Sequence, residues 1–206
     1  ECIPIPPSED LAVDDSNPTS ADSSRKIYSM MFADVKNYSK MDENQYLWFA
    51  RHFLPQILEA ITPFDDRIVS KRTTGDGLFL VFRTVESALN CALEFQETIS
   101  RIQWSDFRLP GNLEVRIALD AGPVYIYHDP IVSKTEFCGK YVIRAARLEP
   151  VTPPGEIYAT ESFAALAAAQ ARNASTFEYA GQIRLPKNYG TIPVYHVNRS
   201  GQSHEI

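Results

Sequence analysis

The chain has 206 residues, 44% hydrophobic and 22% charged, with a net charge of -6 and a pI near 5.3. This suits one globular domain with short tails and a sizeable core, while Lys and Arg cluster only in pairs (Arg25-Lys26, Lys71-Arg72), which argues against a nucleic-acid-binding face. Cys2, Cys91 and Cys138 and the four histidines share no metal-ligand or disulfide spacing, and no apolar run reaches the roughly 18 residues of a membrane span, so a reduced, cytoplasmic setting with no membrane and no structural zinc is expected.

Residues 1–24 are rich in Pro, Ser and Asp and read as a flexible N-terminal arm that Ile3 and Ile5 can anchor. The chain starts at Glu1, not Met, and reads as a trimmed piece without a signal peptide. A strand is expected from Lys26 to Asp34. A helix follows Asp42-Glu43, with an apolar stripe through Tyr46, Leu47, Phe49, Phe53, Leu54, Ile57 and Ile61 and a kink or interruption at Pro55. Arg67–Arg72 and Leu78–Phe82 read as strands joined by a five-residue hairpin loop, Thr73 to Gly77. Val85 to Ile102 carries a second long helical stripe. Leu113 to Leu119 alternates as a half-buried strand, and Val124–Tyr127 reads as another after Gly122-Pro123. Tyr141–Leu148 is a short helix. Ile157–Ala159, Ser162–Ala171, Thr176–Arg184 and Pro193–Val197 close the domain as strand, helix, strand, strand. The order implies an α+β fold: a ferredoxin-like β-α-β-β-α-β core extended to a mixed sheet, with helices mainly on one face. The domain spans 25–198 and the tail 199–206.

Two acidic positions stand out. Asp34 ends an apolar strand and Asp76 sits between glycines at a hairpin tip. Two such carboxylates can hold hard divalent cations against a triphosphate. Taken singly, Asp34 also reads as a helix cap and Asp76 as an ordinary turn residue.

Four motifs in order carry a resemblance. They are Phe32-Ala33-Asp34-Val35 with Tyr38-Ser39, then Thr74-Gly75-Asp76-Gly77, then Gly139 with Val142 and Ala145-Ala146-Arg147-Leu148-Glu149, then Pro154-Gly155-Glu156-Ile157. Together they resemble the catalytic domain of class III nucleotidyl cyclases over about residues 26–198. The Arg144–Glu156 stretch looks like the bacterial pyrimidine cyclases of anti-phage defence, which make cyclic pyrimidine monophosphates from UTP or CTP. The resemblance implies attack of a ribose 3′-hydroxyl on the α-phosphorus with loss of pyrophosphate. It implies two Mg²⁺ or Mn²⁺ ions held by Asp34, Val35 and Asp76, and a turn after Asp34 that offers backbone N–H groups to phosphates. Arg147 aligns with the arginine aimed at the α-phosphate, though it also reads as a surface residue paired with Glu149. Lys187 aligns with a triphosphate-binding lysine or is a solvated one. The resemblance further implies a homodimer with two sites at its interface, each made from the metal aspartates of one protomer and the base-contacting residues of the other.

Three departures bear on substrate choice. Arg72 and Glu136 stand at the base-reading positions, where adenylate cyclases carry Lys and Asp and guanylate cyclases carry Glu and a small residue; the longer arms suit a pyrimidine, with UTP favoured. Tyr38 replaces the usual Phe and either packs or narrows the base pocket. Ile143 replaces the transition-state asparagine and cannot donate a hydrogen bond, and Arg144 is the candidate catalytic substitute, on roughly the face of Arg147. The reading is therefore a uridylate cyclase. The alternatives are an adenylate cyclase with variant base contacts and a catalytically impaired nucleotide-binding regulatory module.

Overall fold

A computed structural model describes residues 25–170 and 175–200. The arm expected over 1–24, the end of the tail (201–206) and Ala171 lie outside the described residues. Strand β1 (Lys26–Val35) pairs antiparallel with both β3 (Gly77–Phe82) and β4 (Val115–Asp129), and β2 (Ile68–Thr74) pairs with β3. The helical segment after β1 and helix α3 (Val85–Arg101) complete the β-α-β-β-α-β core. Strand β4 then pairs in parallel with β6 (Ile157–Thr160), and β8 (Gly190–Arg199) and β7 (Ser175–Leu185) extend the sheet. The order is β2-β3-β1-β4-β6-β8-β7, with β5 (Lys134–Cys138) paired to the far end of β4.

Alternation along β1 assigns the two faces. Met31, Ala33 and Val35 point into the larger core with α3 and with α5 (Glu161–Gln170). Tyr28 and Met30 point the other way, into a smaller cluster that α4 (Lys140–Leu148) covers through Ala145. Helices thus lie mainly on one face, with α4 on the other. No helix among the described residues is long and apolar enough to cross a membrane.

Three local expectations change. The helix after Asp42 is unbroken in path but varies in pitch: α1 (Glu43–Trp48), a π-helical turn (Phe49–Phe53), then α2 (Leu54–Ile61). Pro55 has no N–H for the carbonyl of Arg51 and its ring crowds it. The chain widens there, and the N–H of Leu54 reaches back to the carbonyl of Phe49. The β2–β3 loop has two residues instead of five, because Thr74 pairs with Gly77 and Gly75 takes a φ of 67°. Gly at the first central position is what a tight hairpin of the II′ kind requires. Pro123 does not divide β4. Only β1 flanks the strand at that point, since pairing with β6 ends at Leu119, and so the missing N–H leaves that outer edge intact.

Candidate active site

The fold brings the two aspartates together. Asp34 is the penultimate residue of β1, and the tight β2–β3 turn swings Asp76 beside it, within hydrogen-bonding reach. Asp76 also accepts from the backbone N–H of Val35. Burial first, then the neighbouring charge of Asp34, push the Asp76 carboxyl up to about 6. Asn37 adopts a left-handed φ of 66° in the turn that follows β1, the kind of bend that can turn successive amides to one concave side.

Two further groups complete this acidic corner: Arg116, which the sequence did not single out, and Glu149, which it offered only as a partner for Arg147. Arg116, opposite Asp34 in the β1–β4 register, pairs with the Asp34 carboxylate. Its Nε lies 3.1 Å from Glu149 Oε1, and its Nη1 donates to the carbonyl of Pro150 at 3.3 Å. Burial, then Asp34 and, more weakly, Asp76, push the Glu149 carboxyl up to about 7 against the pull of Arg116. Glu149 therefore answers to Arg116, and the side chain of Arg147 makes no ion pair with any other described residue.

A cleft of about 310 Å³ opens from this corner. It is lined by Asp34 and Glu149, by Arg72 and Thr74 of β2, by the rings of Phe79 and Phe137, and by Ala146 of α4. Arg72 is ion-paired with Glu136 of β5, whose side chain is only 6% exposed, and its guanidinium sits 6.0 Å from the centre of the Phe79 ring. The two base-reading candidates thus meet beside an aromatic surface, with Phe32 stacked on Phe79 at 4.4 Å. A planar heterocycle matches that combination of an apolar slot with few convergent polar groups.

Other expected residues stand elsewhere. Tyr38 does not line the cleft: its ring packs on Tyr46 and Phe49 and its edge approaches Gly75, behind the Asp76 turn. Lys187 occupies the tip of the β7–β8 hairpin, where it and Asn188 take left-handed φ values of 57° and 55°. That hairpin leans on α4 through the Tyr189 hydroxyl, which donates to the carbonyl of Lys140 at 3.2 Å. The guanidinium of Arg144 is committed to the sheet, its Nε and Nη2 each donating to Asp120 at 2.7 Å.

Among the described residues no group of three or more His, Cys, Asp or Glu side chains is arranged to hold a metal ion. The Asp34–Asp76 pair nonetheless fits a cation. A carboxylate such as Asp76, whose proton affinity is raised by a second carboxylate beside it, is relieved by a positive charge between the two, and oxygen donors are what Mg²⁺ and Mn²⁺ take.

Residues 21–199 match the family described as the adenylate and guanylate cyclase catalytic domain. A serine/threonine-protein kinase/receptor of Acanthamoeba polyphaga mimivirus is 30% identical over an alignment 118 residues long that covers 49% of this chain and 7% of that protein. The chain spans only 7% to 16% of the length of the curated relatives it matches. Among solved structures, the adenylyl cyclase CyaB of P. aeruginosa superimposes with a TM-score of 0.73 at 16% identity, covering 89% of this chain and 98% of that one. A dimeric guanylyl cyclase domain from the aquatic fungus Blastocladiella emersonii gives 0.68 at 18%, covering 84% and 97%. At these identities the structures establish a shared fold.

Proposed function

The chain belongs to the adenylate and guanylate cyclase catalytic domain family, and from that premise we propose that it converts UTP to 3′,5′-cyclic UMP and pyrophosphate as a second-messenger synthase. The observation that carries the reading is one cleft lined both by Asp34, which has Asp76 beside it, and by Arg72, which is paired with Glu136 next to the Phe79 ring. Asp34, Asp76 and the Val35 carbonyl would hold Mg²⁺ or Mn²⁺, which supplies charge neutralisation on the triphosphate oxygens. The remaining work is positioning and electrostatics. Arg147 faces the charge that grows on the α-phosphate as the O3′–P bond forms and the bond to pyrophosphate breaks. Lys187 holds the outer phosphates. Arg72 donates to an exocyclic oxygen of uracil while Glu136 accepts from N3–H. Cytosine presents an amine where uracil presents O4, so it faces Arg72 unfavourably. A site with polar groups left unpaired by the wrong base discriminates by up to ~10⁴-fold. The likeness of Arg144–Glu156 to the defence-associated pyrimidine cyclases supports a role in anti-phage signalling.

A second reading, an adenylate cyclase, draws on one observation: Arg72 and Glu136 keep the charge signs of the adenine-reading pair and are already joined. Incubation with Mn²⁺ and all four nucleoside triphosphates at equal concentration, with products resolved by mass, separates the two. UTP should give the dominant cyclic product, and Arg72→Ala should erode that ranking more than total turnover. Dominant cyclic AMP would replace the first reading by the second, and no cyclic product from any substrate would leave the impaired module.

A further inference from the structure

Asp120 is wholly buried near the middle of β4. A carboxylate without water must find its donors in the protein, and four converge here. Arg144 gives Nε to Oδ2 and Nη2 to Oδ1, each at 2.7 Å. The Thr160 hydroxyl and the Ala121 N–H each reach Oδ1 at 2.7 Å. Nη2 of Arg144 also donates to Ser162 Oγ at 2.9 Å, and the guanidinium lies 4.8 Å from the centre of the Tyr141 ring. Burial pushes the Asp120 carboxyl up, and the bonds from Arg144 pull against it.

This network joins β4, α4, the end of β6 and the first turn of α5. A bidentate carboxylate–guanidinium pair fixes angle as well as distance, so it sets both the rotation and the register of α4 on the sheet. Arg144 is three residues before Arg147 on that helix, and the hairpin bearing Lys187 rests on the helix's first turn. Where α4 stands therefore decides where both cations stand. An apolar pair of similar volume would often give equal or greater stability than a buried ion pair, so the feature specific to this pair is orientation.

We propose that Asp120 and Arg144 form a buried clamp that fixes the position of α4 on the sheet, and with it the position of Arg147. Arg144 is a positioning residue, its fork committed to Asp120 and Ser162. The catalytic half of the proposal rests on the cyclase reading above.

The test compares wild type with Arg144→Met, Arg144→Lys and the double variant Asp120→Asn/Arg144→Met. Each is measured for kcat and KM with the triphosphate that wild type cyclises best, for melting temperature, and for amide hydrogen exchange. Arg144→Met leaves a buried charge alone and should melt early. The double variant removes that charge and should melt close to wild type. Its kcat should still fall about 30- to 100-fold, the scale of a reacting group displaced by about 1 Å, with KM within about threefold. Exchange along α4 should quicken while β1 and β4 stay protected. Arg144→Lys, which keeps the charge but loses the fork, should remain slow. A double variant with wild-type kcat overturns the clamp. So does a fall in kcat with unchanged exchange in α4, which would make Arg144 a direct phosphate contact. If wild type forms no cyclic nucleotide, the cyclase reading falls and the exchange measurement alone still decides whether Asp120 and Arg144 hold α4.

Discussion

Asp34 and Asp76 sit in one site because a strand end and a two-residue turn leave them nowhere else to go. Asp34→Ala or Asp76→Ala should each abolish product while leaving the fold intact, a loss on the order of 10³-fold or more, since loss of a cation ligand removes several kcal/mol of transition-state stabilisation. Near-wild-type turnover measured by product mass in either variant would remove that residue from the metal site. Both aspartates were legible in the sequence because motif spacing reports them directly. Arg116 and Glu149 were not, because a strand residue and a helix-end residue meet only through the β1–β4 register and the docking of α4. Alternation placed Arg116 on the polar side of its strand but could not say which carboxylate it would face. Glu149 has a consequence for stability. Its carboxyl, pushed from the ordinary 4.5 to about 7, holds a proton in the folded state that the unfolded chain releases. That contribution is complete below pH 4.5 and is lost as pH rises through about 7, an effect on the order of 2 kcal/mol. Urea unfolding with chelator present should therefore show stability falling between about pH 4.5 and 7. Glu149→Gln should flatten the upper part of that slope and leave the lower part, to about pH 6, that Asp76 contributes. An unchanged slope in the variant would contradict the burial argument.

Helix α4 bears on the cleft through its contact with the sheet, and Tyr141 of α4 lies directly over Gly122. A Cβ built there would lie 2.3 Å from the Tyr141 ring, with backbone φ playing no part. Gly122→Ala should push α4 outward, destabilise the fold by about 1–3 kcal/mol as overpacking does, and lower kcat through Arg147 more than it raises KM. Thermal melts and steady-state kinetics test both, and an alanine variant with normal kcat would separate α4 docking from catalysis. Most elements were legible because their periodicities are strong: the stripe from Val85 to Ile102 matches α3, and the alternation from Leu113 matches the first half of β4. The departures share a cause, which is tertiary context overriding a local signal. Pro55 signalled a kink or an interruption, and the packing of Phe49, Phe53 and Ile57 on the core decides for a helix that runs on through a π turn. Pro123 signalled a break, but it stands where one edge of β4 has no partner. Strand β5 escaped notice because Lys134–Cys138 has little apolar alternation and is held by pairing to β4, with Glu136 opposite Tyr127.

At the scale of the whole molecule, the question is whether one chain completes the site. Asp34 and Arg72 line a single chain's cleft, with Asp76 beside Asp34, yet Ala146 is the residue of α4 nearest Arg147 that lines it. Apolar side chains also stand in solvent beside that helix: Ile143 on α4 itself, and Tyr125, Tyr127, Ile131 and Val132 along the β4–β5 ribbon. Exposed apolar surface of this kind marks an interface more often than a free face. A second copy related by a two-fold axis would cover both patches at once, since an isologous contact presents the same surface twice. In such a dimer the carboxylates of one protomer would work with Arg147 of its partner, giving two equivalent sites. Asp34→Ala and Arg147→Ala, each inactive alone, should then regain activity when mixed. A mixed dimer holds one site with both lesions and one with neither, so random pairing of equal amounts yields about a quarter of wild-type activity per chain. Sedimentation should show a species of twice the chain mass, and a double mutant of both residues in one chain, mixed with wild type, should contribute nothing. If mixed dimers form and stay silent, each protomer builds its own site, and Arg147 must reach the phosphate within a single chain.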